Sequence, residues 1–311
     1  MSGFDVQGFL AALRSMDNSA LAAPHDGLNY ESAEIAGVAA EWTVPADVPT
    51  DPEAAVMYIH GGGFVAGAPD VCRLATSRIA LGLGVRVISP DYRLAPEHPF
   101  PAAHEDVLAV YRELIEAQGV RSEKFAVAGD SAGASLAVSL IADARESGLP
   151  MPACGMLNSP YSDVALNSPS LDDPARNQHS ITRDLVEALA TAFLSSGGVH
   201  PRDPRHSPIY RDLCGLPPLL IQVAGHDICH DDGVRLAAKA REAGVDVTFT
   251  EYPTSEHIVI VWGSKQYVDG AIVDTALDPE PARRAAEEMV EFARSHMTTL
   301  DEPATRIVLD I

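Results

Sequence analysis

The strongest constraint on this chain is a serine placed between two glycines at the end of an apolar run. The segment Phe125-Ala-Val-Ala-Gly-Asp-Ser-Ala-Gly-Ala-Ser-Leu-Ala-Val138 reads as strand, sharp turn and helix. Small residues at 129 and 133 are required there because such a turn brings strand and helix close together. Ser131 then sits at a helix N-terminus, where the helix dipole and free N–H groups favour negative charge. A bare Gly-x-Ser-x-Gly is weakly informative, and the plainer assignment is a helix-capping serine. The strand–turn–helix setting favours an exposed nucleophile.

A second glycine motif, His60-Gly-Gly-Gly-Phe64, follows another apolar run. Three successive glycines let the backbone turn and approach a ligand closely. Their N–H groups are free to bind an oxyanion. A phosphate-binding loop is the competing assignment, but no Lys-Ser/Thr follows and no helix begins at once. His60 reads as a residue that shapes the loop rather than as a catalytic base.

The rest of the chain supplies a frame for these turns. Tyr30–Ile35 and Val38–Val44 read as a strand pair, and Pro45–Glu53 as a loop leading to the apolar strand Ala54–Ile59. Helix Pro69–Leu83, strand Val85–Ser89, helix Ala102–Ala117, strand Lys124–Ala128, helix Ala132–Glu146 and strand Cys154–Leu157 follow in alternation. This pattern predicts a mostly parallel sheet covered by helices on both faces, with ligands beyond the carboxyl ends of the strands. From Pro160 to Cys214 the alternation stops. Within this stretch one helix, Arg183–Ser195, carries Leu185, Leu189 and Phe193 on one face behind an N-cap at Thr182. A long insertion at this point reads as a cap over the site, completed by an amphipathic N-terminal helix through Phe4, Phe9, Leu10 and Leu13. The alternation resumes with Pro218–Val223, helix Gly233–Ala243 and strand Val245–Glu251. A last helix, Pro279 to about His296, is capped by Asp278.

Composition narrows the function. The chain has 311 residues, and 46% are hydrophobic, enough to fill the core of one large domain. A net charge of −22 repels nucleic acid and anionic membrane surfaces. No basic leader followed by an apolar run opens the chain, and no apolar stretch is long enough to span a bilayer, so a cytoplasmic location is expected. Cys72, Cys154, Cys214 and Cys229 are scattered and read as reduced thiols.

A nucleophilic serine needs a base, and the base needs an orienting acid. Asp227 lies in the loop just past Pro218–Val223. His257 is the one histidine between the last sheet strand and the final helix. Asp231 and Asp232 read instead as the N-cap and first turn of the next helix. The order Ser131, Asp227, His257 is that of the α/β-hydrolase fold.

On these motifs the chain resembles the hormone-sensitive-lipase-like group of α/β-hydrolase esterases. The likeness includes Asp91-Tyr-Arg-Leu-Ala-Pro-Glu-His-Pro-Phe-Pro-Ala102, Ser159-Pro-Tyr-Ser-Asp163 and Leu216-Pro-Pro-Leu-Leu-Ile221, and covers about residues 30 to 260. It implies a single α/β-hydrolase domain over residues 1–311, an eight-stranded sheet, and a cap from about 1–28 and 160–214. It further implies an oxyanion hole from the N–H groups of Gly62, Gly63 and Ala132, and hydrolysis of short-chain acyl esters without a cofactor or metal. The expected partner is a small-molecule ester, and a homodimer is left open. The chain departs from the group at His226 and His230, in a longer segment from Ile258 to Leu277, and in the tail after Met297.

Three rival readings remain open at this level. His226 and His230, four apart, belong to a dense set of metal-ligand types, although the segment reads as a loop. A binding protein on the same fold is a second rival, and such proteins usually lack part of the triad. A lactone or amide hydrolase would use the same triad.

Overall fold

The computed structural model describes residues 14, 21–46, 49–176, 181–258, 265–268, 271–274 and 280–298. Ten strands are found there: β1 (Leu28–Ile35), β2 (Val38–Pro45), β3 (Ala55–Ile59), β4 (Arg86–Pro90), β5 (Phe125–Asp130), β6 (Cys154–Asn158), β7 (Leu219–His226), β8 (Val247–Glu256), β9 (Lys265–Val268) and β10 (Ala271–Asp274). The helices are α1 (Arg73–Leu83), α2 (Ala102–Glu116), α3 (Ala132–Glu146), α4 (Arg183–Phe193), α5 (His230–Glu242) and α6 (Glu280–His296). The expected N-terminal helix lies outside the described residues, as do Asp278, Pro279 and the tail beyond Thr298.

Eight strands form one sheet in the order β1-β2-β4-β3-β5-β6-β7-β8. The pairs β1–β2 and β2–β4 are antiparallel, and the remainder of the sheet is parallel. The expected eight-stranded, mostly parallel sheet is therefore present. Strand β3 shows why a continuous apolar run was needed. Ala55, Met57 and Ile59 join the core under α2, α3 and α5, while Val56 and Tyr58 join the core under α1 and α6. A strand buried on both faces cannot alternate apolar with polar residues.

Several boundaries differ from expectation for local reasons. Strand β8 continues through Pro253 to Glu256, beyond the expected end at Glu251. It is the last strand in the sheet order, and an edge strand tolerates a proline that cannot donate to the ladder. Helix α5 begins at His230, with Cys229 at the N-cap, so Asp231 and Asp232 both lie in its first turn. Within the segment 258–277, β9 and β10 pair as an antiparallel hairpin.

In the insertion, Thr182 caps α4 by accepting the Leu185 N–H at 3.3 Å. Its buried residues are Val186, Ala188, Ala190, Ala192 and Phe193, while Leu185 and Leu189 are half-buried. The packed face is thus turned from the expected Leu185–Leu189–Phe193 stripe. Phe193 stacks on Phe64 with ring centroids 4.0 Å apart and meets Phe100 and His206 edge-on.

Candidate active site

The two glycine motifs end on neighbouring strands. Ile59 of β3 pairs with Gly129 of β5, so the loop 60–67 and the turn at 129–133 emerge side by side. At Gly133 a Cβ would collide with the carbonyl oxygens of Ile59 and His60, and at Gly129 with the Gly133 backbone and Ile59 O. This close approach is why the turn requires glycine on both sides of the serine. Ser131 takes φ 52°, ψ −119°, a sparsely populated conformation for a non-glycine residue. Its N–H donates to Asn158 O at 2.9 Å and its C=O accepts from Tyr161 N at 3.1 Å, which hold it there.

The loop of the first motif is braced from several sides. His60 is fully buried, shares a 2.7 Å hydrogen bond between its Nδ1 and Gly61 O, and stacks on Tyr92 at 4.2 Å. Burial pushes the His60 imidazole down to about 4, which suits a neutral shaping residue. The Tyr92 hydroxyl donates to His60 O at 2.9 Å. Gly62 has φ 108°, and its carbonyl accepts from Val65 N and Ala66 N. Arg14 donates to Val65 O at 2.8 Å and to Ala95 O and Glu97, and so braces the same loop. Among the described residues none accepts a hydrogen bond from the Gly62 or Gly63 N–H. Ala132 opens α3, where an N–H lacks an intrahelical partner. A cavity of about 710 Å³ opens beside this loop, with His60, Gly61, Gly62, Asp91, Asp130 and Ile258 among its walls.

The acid and the base arrive from the other half of the sheet. Asp227 follows β7 and His257 follows β8, and these strands are parallel neighbours. His257 Nε2 lies 2.9 Å from Ser131 Oγ, and Nδ1 lies 2.8 Å from Asp227 Oδ1. The side chain of Asp227 is fully buried, and its Oδ1 also accepts the Cys229 N–H at 2.7 Å. Burial pushes the His257 imidazole down, but the charge and hydrogen bond of Asp227, with Asp130 and Asp232 behind, outweigh it and hold the pKa above its ordinary value.

The flanking residues are arranged otherwise. His226 closes β7 and is exposed, whereas His230 opens α5 and bonds Asp231 Oδ1 at 2.9 Å, so the two do not share a helix face. Asp227, Cys229 and His257 bring potential ligand atoms within 4.8 Å of one another, but both imidazole nitrogens are already engaged. Asp232, expected only to favour the helix start, is buried and accepts from Ser162 N, Asp163 N and Ser168 Oγ. Ser170 Oγ donates to Ile228 O at 2.7 Å and Arg176 to Gly225 O at 2.6 Å, fastening the insertion to the loop that carries Asp227. Sequence reading missed Tyr92, Asp232 and Ser170. Tyr92 stands inside one of the quoted motifs; the partners of Asp232 and Ser170 are about 60–70 residues away in sequence, and no local pattern marks them.

Residues 56–261 match a protein family described by its α/β-hydrolase fold. The chain belongs to that family. It is 40% identical over 219 residues to an acetyl-hydrolase of Streptomyces hygroscopicus, covering 70% of this chain and 71% of that protein. It is 35% identical over 240 residues to an esterase of Acinetobacter venetianus, covering 77% and 74%. Among solved structures, an esterase from the bacterial hormone-sensitive lipase family superposes with TM-score 0.79 at 31% identity, covering 96% of this chain and 100% of that one. The likeness to the hormone-sensitive-lipase-like group read from the motifs thus extends to whole-chain structure.

Proposed function

We propose that this α/β-hydrolase is a serine carboxylesterase acting on short-chain acyl esters. The observation that carries the reading is the chain of contacts Asp227 Oδ1–His257 Nδ1 and His257 Nε2–Ser131 Oγ, both under 3 Å. The names of its relatives, acetyl-hydrolase and esterase, support the substrate class.

In this mechanism the Ser131 hydroxyl donates its proton to His257 Nε2 as Oγ attacks the ester carbonyl. Asp227 fixes the tautomer with the proton on Nδ1 and stabilises the imidazolium. The tetrahedral oxyanion is held by the N–H groups of Gly62, Gly63 and Ala132, a contribution of about 3–4 kcal/mol per donor where single donors have been removed. Collapse breaks the bond to the alcohol oxygen, which takes the proton from Nε2. Water then attacks the acyl-enzyme with His257 again as base, releasing the acid and free Ser131. Residues 160–214 act as a cap that shapes access. No metal or cofactor enters any of these steps.

The test is a panel of p-nitrophenyl esters of increasing acyl length, run beside lactone and amide substrates. Short esters are expected to be turned over best, and a preference for lactones or amides would reassign the substrate. Ser131→Ala should lower kcat by about 10⁶-fold, as in comparable serine hydrolases, while keeping the fold. A fluorophosphonate probe should label Ser131; a folded wild type that is neither labelled nor active would favour a binding protein. The pH profile carries its own sign. His257 must be neutral to accept a proton, and its pKa is held above 6.5. The acid limb of kcat/KM should therefore lie above pH 6.5, with activity falling as pH falls through it.

A further inference from the structure

Ser159, the first residue after β6, is fully buried and takes no step in the acyl-transfer chemistry. Its backbone lies in the left-handed region, at φ 45°, where a non-glycine residue is uncommon. Glycine would take this conformation at less cost. What serine adds at this position is a Cβ and a hydroxyl. The hydroxyl oxygen accepts the Ile258 N–H at 3.3 Å, from a residue 99 positions away in sequence. Ile258 is β-branched and stands at φ 52°, a strained backbone that surrounding contacts must hold.

The place of this bond gives it meaning. Ile258 directly follows the base His257. Glu256, on the other side of the histidine, ends β8 and pairs with His226 of β7. His257 therefore rides on a turn held at both ends, by the sheet at 256 and by Ser159 Oγ at 258. The footing of the serine is the rest of the site. Its N–H donates to Gln222 O at 2.8 Å, on the strand that leads to Asp227. Its neighbours hold the nucleophile: Asn158 O accepts the Ser131 N–H at 2.9 Å, and the Tyr161 N–H donates to Ser131 O at 3.1 Å. Segment 158–161 thus reaches the nucleophile and the strand of the acid through backbone groups, and the base through one side-chain atom. A substitution at 159 leaves the backbone groups in place and removes only the link to the base.

Resting on the esterase reading, we propose that Ser159 is a positioning residue of the base, whose hydroxyl oxygen holds the Ile258 N–H and so fixes His257 Nε2 against Ser131 Oγ. It acts through the 257–258 peptide and not on the reacting atoms. The role belongs to the hydroxyl and not to the Cβ, so alanine and glycine should lose it alike. Proton transfer from Ser131 to Nε2 depends on this geometry more steeply than the binding of a neutral ester does, so the loss should fall on kcat and not on KM.

The experiment compares wild type, Ser159→Ala and Ser159→Gly for kcat and KM on p-nitrophenyl acetate across pH, with active sites counted by fluorophosphonate labelling. Both variants should lower kcat per site by about tenfold or more, within the roughly 10²-fold that a 1 Å misplacement can cost. KM should stay within about threefold. The acid limb of kcat/KM should also move down toward pH 6.5, because a loosened His257 keeps less of the contact with Asp227 that raises its pKa. A loss of folded protein alone would lower the number of sites and move neither the rate per site nor the limb. If alanine does not fold, glycine, which suits φ 45°, carries the same comparison. Four results would each overturn the proposal: a folded variant with wild-type kcat, a loss confined to alanine and absent in glycine, a fall in kcat with an unmoved acid limb, or the failure of both variants to fold. A wild type that turns over no ester brings down the esterase reading together with this role. An active wild type matched by Ser159→Gly brings down the role alone.

Discussion

The serine turn and the insertion meet at one site but are held by different physics. Around Ser131 the constraint is steric and local: Gly129 and Gly133 allow β5, α3 and the end of β3 to come within contact, and apolar side chains cover both faces of the sheet. The insertion 160–214 is held instead by long-range polar contacts and an aromatic cluster. Asp163 accepts from Tyr210 and Arg235, and Asp232 gathers Ser162, Asp163 and Ser168. Phe64, Phe100 and Phe193 close around His104 and His206. A steric constraint tolerates almost no change in side-chain size. A polar network tolerates shape change but is damaged when one partner is left unpaired.

The largest expected effect separates chemistry from scaffold. Asp227→Asn keeps the side-chain shape but favours the wrong histidine tautomer, and should cost up to about 10⁴-fold in kcat with little change in stability. Asp232 lies five residues on and should behave in the opposite way. Asp232→Ala leaves two buried N–H groups and the Ser168 hydroxyl without their acceptor, a loss of roughly 3 kcal/mol or more. Its kcat per folded molecule should stay within about tenfold of wild type. Denaturant melts and active-site titration of both variants check this pair. A stable Asp232→Ala with collapsed kcat would mean that the network serves catalysis and not the insertion.

These two aspartates also show where sequence was informative. The two turns and the mostly parallel sheet were legible because each rests on local necessity, whereas the order of the three candidate site residues and the count of eight strands came with the likeness to a known fold. A glycine is demanded by close approach, and a continuous apolar run by burial on both faces. Asp232 was read as a helix-start residue because Asp in a first turn has a sufficient local explanation. Its real partners, Ser162 and Ser168, lie in another stretch of chain, and nothing in the local pattern points to them. The orientation of α4 was missed for a related reason. Leu185, Leu189 and Phe193 share a helical face, but the bed of Phe64 and Phe100 on which Phe193 rests is assembled from two other loops.

A smaller effect tests the aromatic cluster through pH. His104 is buried against Phe64, Phe100 and Phe193, and both ring nitrogens lack a described partner. Burial, with the charges of His206, Arg211 and Arg205 behind it, lowers its pKa to about 3. The unfolded chain, with an ordinary value near 6.5, therefore binds the proton more readily between those limits. The contribution is fully present above about pH 6.5 and is lost as pH falls toward 3, by up to about 1.4 kcal/mol per pH unit. His104→Phe should remove this term. Wild type should lose stability relative to the variant between pH 6.5 and 4, measured as the difference in denaturation midpoints. Parallel curves would mean that the imidazole reaches water and that the cluster is looser than its packing indicates.

The smallest effect is the most specific to the insertion as a cap. Leu189 is half-buried, and a Cβ on Gly63 would meet its side chain at 2.6–3.1 Å, so it stands directly over an expected oxyanion donor. Phe193, one turn on, is buried in the aromatic stack and should act on stability: Phe193→Ala is expected to cost about 3–5 kcal/mol. Leu189→Ala should cost less, because part of the side chain is already in solvent. It should instead enlarge the space above the 62–63 peptide and admit longer acyl chains. The expected result is a shift of a few-fold in the ratio of kcat/KM between p-nitrophenyl hexanoate and acetate, with the acetate rate nearly unchanged. One methylene in an apolar pocket is worth about 1–3 kcal/mol of discrimination, so even partial filling of the space should be measurable. If Leu189→Ala leaves the ratio untouched while Phe193→Ala only destabilises, α4 is a packing element beside the site, and selection of acyl length must reside in the loop walls of the cavity.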